Sequence, residues 1–137
     1  MTVEYFSYEG AGIQNVYQND KWLIAIKNWR LANDVEHISR LEVHFKTDEQ
    51  FILLSGSAVL LYAEHLDASS EIHVQPLEPG KVFQVPQGLW FNNVLSRDAK
   101  LVYIEAADTK AAPDNSIYQE LTQTQIDAVR SKVRAAL

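Results

Sequence analysis

No cysteine occurs among the 137 residues. Disulfide staples, thiolate metal centres and cysteine nucleophiles are therefore ruled out together. Basic residues are outnumbered, with 12 Lys and Arg against 18 Asp and Glu and a formal charge of -6. They form no dense cluster, so a nucleic acid or an anionic membrane surface would find no electrostatic footprint. Long apolar runs are also missing, and none approaches the ~20 residues that a membrane helix needs. The opening residues, Met1-Thr-Val-Glu-Tyr-Phe, lack the basic-then-apolar order of a secretory leader. These absences lead to the expectation of a cytoplasmic protein with neither a nucleic acid nor a membrane as partner.

Apolar residues are plentiful and evenly spread. Hydrophobic residues make up 47% and charged ones 22% of the chain, enough for one compact domain and its core but not for two. Up to about residue 107 the pattern is one of short strands. In Lys21 to Arg30, Trp22, Ile24 and Ile26 fall on one face and Leu23 and Ala25 on the other. Both faces are apolar, which predicts a strand held between two layers. Arg40 to Lys46 alternates strictly, Leu41, Val43 and Phe45 against Glu42, His44 and Lys46. Phe51 to Leu54 and Ala58 to Tyr62 flank Ser55-Gly56-Ser57, which reads as a hairpin turn.

Further strands are predicted at Glu71 to Gln75, Val82 to Val85, Trp90 to Leu95 and Lys100 to Ala106, with turns at Pro79-Gly80 and Pro86-Gln87-Gly88. Regular short strands without intervening helices predict an all-β sandwich or barrel. Asp108 to Asn115, polar and containing Pro113, reads as a loop. Thr122 and Gln125 then form a capping box. Ile126, Val129, Val133 and Leu137 recur at helical spacing, which predicts an amphipathic helix over about 122–136, packed on the outside of the β domain or on a neighbouring subunit.

Two motifs sit inside the strand region. Glu42-x-His44-x4-Glu49-x6-Gly56 falls on the frame G-x5-H-x-H-x3-4-E-x6-G, with Glu42 in place of the first histidine and Glu36 in place of the opening glycine. Gly80-x5-Pro86-x-Gly88 matches the start of G-x5-P-x-G-x2-H-x3-N, but Phe91 replaces the histidine and Leu95 the asparagine. Over about residues 40 to 106 the chain thus resembles the cupin superfamily, and small bacterial cupins in particular. The resemblance implies a single-domain jelly-roll barrel over about 1–107, a pocket inside it, and a homodimer. In cupins three histidines and a glutamate hold a divalent metal. Here the resemblance implies at most Glu42, His44 and Glu49 as ligands, for Mn, Fe, Ni or Zn, or no cofactor at all. A mixed imidazole and carboxylate set suits such ions, whereas Phe91 ligates nothing.

By alternation alone, Glu42, His44 and Lys46 read as the solvent face of a strand with a surface charge ladder. Their registration with Glu49, Gly56 and the second motif tips the reading toward an inward site. In such a site His44 and Glu49 are the candidate catalytic pair, because a histidine beside carboxylates serves as general acid or base near neutral pH. Lys46, Trp90, Phe91, Tyr103 and Glu105 are candidate pocket residues, and Trp22 a further aromatic, although core packing competes for the aromatics. His37, His65 and His73 lack partners at ligand spacing, and Asn92-Asn93 suits a turn as well as a ligand. The expected partner is a small molecule. The enzyme form of this expectation is a carbohydrate-related isomerase or epimerase, or a metal-dependent enzyme; the alternative is a metal-free sensor or binding module.

Overall fold

A computed structural model of the chain describes residues 1–109 and 115–137. The strands are β1 (Ile13–Gln18), β2 (Trp22–Asn28), β3 (Arg40–His44), β4 (Glu49–Ser55), β5 (Ala58–Ala63), β6 (His73–Pro76), β7 (Val82–Val85), β8 (Trp90–Leu95), β9 (Lys100–Ala106) and β10 (Ser116–Glu120). A 3-10 turn at Leu31–Asn33 follows β2, and helix α1 (Gln123–Ala136) ends the chain. None of the described helices is long and apolar enough to cross a membrane.

The strands form two antiparallel five-stranded sheets, ordered β1-β2-β9-β4-β7 and β10-β3-β8-β5-β6. This is the jelly-roll arrangement, but as a sandwich: among the described residues no strand pair joins one sheet to the other, so the expected barrel is not closed. Period-2 alternation decides what lies between the sheets. Leu23 and Ala25 of β2, Phe51 and Leu53 of β4, Leu60 of β5, Phe91 and Leu95 of β8, and Leu101 and Tyr103 of β9 form the inner core.

The turn at Gly56 exists, but it does not make a hairpin. β4 lies in the first sheet and β5 in the second, so the turn carries the chain from one layer to the other. Gly56 has φ +69°, and a Cβ there would stand 2.6 Å from the backbone N and Cα of Ala99. Packing against the β8–β9 turn, rather than pairing of its own flanks, therefore fixes its conformation.

The chain after residue 107 also departs from expectation. Of the expected loop Asp108 to Asn115, residues 110–114 lie outside the described residues. Beyond it β10 pairs in register with β3, Ser116 opposite His44 and Tyr118 opposite Glu42, so the second sheet extends past the expected boundary. Its five residues, Ser-Ile-Tyr-Gln-Glu, alternate too briefly to stand out beside a polar stretch. The helix is as expected at its start: the Thr122 Oγ1 accepts from the Gln125 N–H at 3.1 Å, and Gln125 Oε1 accepts from the Thr122 N–H at 2.9 Å. Val129 and Val133 are buried with Val59, Leu61 and Val94 on the outer face of the second sheet, worth about 1.5–3 kcal/mol for each fully buried side chain. Leu137, expected on that face, is 46% exposed.

Candidate functional site

β3 and β4 lie in opposite sheets, and their inward residues meet between the layers. Glu42 and His44 point inward because Leu41 and Val43 occupy the outward, buried face of β3. Glu49 and Phe51 point inward from β4, and Tyr103 and Glu105 from β9. Register places Glu49 opposite Glu105. The two motifs are also joined directly, since the Gly88 N–H donates to the His44 carbonyl at 2.7 Å and the Gln87 N–H to Asp48 Oδ1 at 2.8 Å.

His44 is 2% exposed, Glu49 5% and Glu105 2%. The Nδ1 of His44 is 2.5 Å from the Ser116 hydroxyl on β10. Its Nε2 faces three carboxylates, at 3.7 Å from Glu42 Oε1, 3.9 Å from Glu105 Oε2 and 4.0 Å from Glu49 Oε1. At those distances none is a hydrogen bond. His44 Nε2 and both oxygens of Glu105 are buried without a hydrogen-bond partner, although buried polar groups are ordinarily paired. Ligand atoms of His44, Glu49 and Glu105 all lie within 4.8 Å of one another.

Two carboxylates directly opposite each other on a strand pair repel, and burial sharpens the cost. Burial pushes the Glu49 carboxyl well above the ordinary carboxylate range, with Glu105 and Glu42 adding to the shift and Lys27 opposing it. The Tyr103 phenol is raised by burial and by Glu105 and Glu49, so it remains a neutral hydroxyl. Tyr118 is raised by burial and by Glu42.

A cavity of about 360 Å³ reaches this cluster, with Glu42, Glu49, Phe51, Phe91 and Tyr103 among its lining. His44 and Glu105 are set behind that wall. At the mouth the Arg40 guanidinium lies 3.9 Å from the centre of the Tyr118 ring. Arg30 donates from Nε to Asn33 Oδ1 at 2.6 Å. Asn33, 1% exposed, in turn donates to the Asn93 carbonyl at 2.8 Å.

The structure brings His44, Glu49 and Glu105 together as a buried group, with Glu42 at its edge on a side chain 18% exposed. Glu105, expected only in the pocket lining, stands where a ligand would, beside His44 and Glu49. Phe91 lies with its ring centre 5.4 Å from that of His44. Lys46 does not turn inward. β3 stops at His44, and the bend that follows is held by Asn115, which accepts from the Lys46 N–H at 2.7 Å, leaving Lys46 exposed and outside the cavity. Trp90 faces outward, packed against the helix-side core, and Trp22 is 44% exposed on the outer face of the first sheet. His37 stands at the cavity, 3.8 Å from Asp34.

Several site residues were not expected. Lys27 is 5% exposed and lines the cavity. It continues the inward phase of Leu23 and Ala25, a signal visible in the strand pattern. Ser116 and Tyr118 depend on β10, whose pairing with β3 the sequence did not announce. Arg30 and Asn33 belong to a connection without periodicity.

No protein-family model matches the sequence, and no curated protein does either. Solved structures do. The BH2720 protein of Bacillus halodurans aligns at TM-score 0.57 and 17% identity, over 92% of this chain and 84% of its own. An RmlC-like cupin of Methanocaldococcus jannaschii, described as a double-stranded β-helix, aligns at TM-score 0.52 and 11% identity over 81% and 94%. A variant of Streptomyces PAC13 solved with uridine aligns at TM-score 0.55 and 11% identity over 91% and 98%. In strand order, in its paired motifs and in these likenesses, the chain has the fold of the RmlC-like cupins.

Proposed function

We propose that this protein binds a small polar molecule in the cavity between its sheets, with a divalent cation held by His44, Glu49 and Glu105. One observation carries the reading: a buried imidazole nitrogen and both oxygens of a buried carboxylate lack partners and converge on one point with a second carboxylate. A cation satisfies all of them and relieves the repulsion between Glu49 and Glu105. One nitrogen and several oxygens suit Mn, Fe, Ni or Zn. Ser116 holds the Nδ1 side of His44, the usual outer partner that leaves the other nitrogen to ligate. When bound, the ion would supply Lewis-acid or redox chemistry at the inner end of the cavity.

The residues of the chain do the rest. Lys27, Arg30 and Arg40 bring positive charge to the cavity and Asn93 and Tyr103 neutral hydrogen-bonding groups, so a ligand with hydroxyl and anionic groups fits better than an apolar one. Phe51 and Phe91 offer flat apolar surface at the inner end. Uridine in the PAC13 structure is in keeping with a ligand of this size and polarity. A carbohydrate-related substrate is the enzymatic form of the reading.

The test is calorimetric titration of chelator-treated protein with Mn, Fe(II), Ni and Zn. One equivalent of at least one ion should bind, and His44→Ala and Glu105→Gln should abolish uptake. If no ion binds, the metal reading fails. The raised Glu49 carboxyl favours a second reading, in which Glu49 holds a proton beside His44 and the pair transfers it without a metal. Thermal stabilisation by sugars or nucleosides in the presence of chelator would single that reading out.

A further inference from the structure

Charge is sorted along the cavity. Glu42, Glu49 and Glu105 gather at its inner end around the Nε2 of His44. Three carboxylates there balance a divalent ion together with the Lys27 ammonium, whose charge acts on Glu49. With or without an ion, the inner end therefore holds no surplus positive charge for an anion. The mouth is the opposite. Arg30 and Arg40 stand at the two ends of the connection between β2 and β3, and both line the cavity. Glu120, the register partner of Arg40, lies on the same rim. Among the described residues, however, no carboxylate comes within 4.0 Å of either guanidinium, whereas Arg134 is paired with Glu36.

Both forks are nonetheless held in place. The Arg30 Nε donates to Asn33 Oδ1 at 2.6 Å, and the buried Asn33 is fixed in turn by the Asn93 carbonyl at 2.8 Å. That bond leaves both Nη groups of Arg30 to a ligand. The Arg40 guanidinium lies over the Tyr118 ring, 3.9 Å from its centre, and a stacked guanidinium keeps its in-plane N–H donors for an acceptor. Both arginines also act on the Tyr118 phenol, which puts them on one side of the mouth. Planar forks of this kind match the oxygens of a carboxylate or a phosphate.

We infer that the ligand of this cavity carries a terminal anionic group, a carboxylate or a phosphate monoester, and that Arg30 and Arg40 clamp this group at the mouth. The ligand then enters with its uncharged end first, and its hydroxyl-bearing end is what reaches His44 and Glu49. The inference rests on the reading of the cavity as a small-molecule site, and adds which end of the molecule meets the reacting groups. Chemistry there acts on atoms remote from the charge. A cavity of about 360 Å³ has room for about a dozen non-hydrogen atoms at the ~30 Å³ that a water molecule takes. A sugar acid or a sugar phosphate with its charged group at the rim has that size.

Calorimetric titration with two matched pairs tests it, D-glucuronate against D-glucose and D-ribose 5-phosphate against D-ribose, in chelator and in Mn(II). At least one charged member should bind about tenfold or more tighter than its neutral partner. Whichever charged probe binds tighter tells carboxylate from phosphate. Arg30→Gln and Arg40→Gln should each remove most of the preference and Arg40→Lys part of it, with circular dichroism as the check on folding. The preference should also shrink in about 1 M salt, a measurement that needs no variant. In Mn(II)-loaded protein, paramagnetic relaxation of bound ribose 5-phosphate should place the sugar ring nearer the ion than the phosphorus. A phosphorus nearer the ion overturns the proposal. So do charged and neutral sugars that bind alike or not at all, and so does a preference that survives both glutamine variants. Ion uptake is read separately. Protein that takes up no ion yet keeps the arginine-dependent preference defeats the metal reading alone; protein that takes up an ion without the preference defeats the anion clamp alone.

Discussion

Glu49 and Glu105 oppose each other in a buried register, and His44 turns an unbonded nitrogen toward both. Two predictions follow at the level of single side chains. On the proposed metal reading, Ser116→Ala removes the group on His44 Nδ1 and should lower metal affinity about 10–100-fold, with little change in stability, as calorimetry and thermal melts would show. Glu49 governs the other. A carboxyl whose pKa is raised on folding keeps its proton while the unfolded chain loses it, so the folded state is penalised as pH rises above the ordinary value of 4.5. In chelator, the stability of the protein relative to Glu49→Gln should therefore fall from about pH 4.5 toward neutrality, with the variant the more stable at pH 7. A difference between the two melts that does not vary with pH would contradict this assignment. His44 and Glu49 were legible as a pair only through the resemblance of their segment to the first cupin motif, since alternation alone put His44 on a solvent face. Glu105 was visible only as an inward residue of the last predicted strand, because its place beside them depends on which strand neighbours β4. Lys46 misled because alternation was carried past the end of β3 into the bend at Asn115.

Among the elements, strands with strict alternation or turn residues on both sides were readable, and β7, β8 and β9 fall on their expected residues. β10 was not, since a short polar edge strand is stabilised by pairing with β3 rather than by its own pattern. The Gly56 turn shows the same limit. Its glycine announces positive φ but not which sheet follows. Gly56→Ala should cost more than about 2 kcal/mol, because it adds the left-handed penalty to a collision with the Ala99 backbone; chemical denaturation measures this. The α1 cap is a milder case. Thr122→Ala removes the bond to the Gln125 N–H and should cost about 1 kcal/mol. The loss should appear in denaturation midpoints and leave metal uptake unaltered.

For the molecule as a whole, the candidate site draws on both sheets and on segments far apart in sequence. β3 and β8 bring His44 and Phe91, β4 and β9 bring Glu49 and Glu105, and β10 closes the group through Ser116. The pairing of Ser116 with His44 spans 72 positions. Such distant pairings are slow to form, since the chain loses much freedom before gaining the contact. A growing polypeptide that has emerged only as far as β9 holds His44, Glu49 and Glu105 but not the Ser116 hydroxyl that lies against the imidazole. On the proposed metal reading, ion capture belongs to the last stage of maturation, after the final strand has docked, and a newly made chain passes through an apo intermediate with a loosely held histidine.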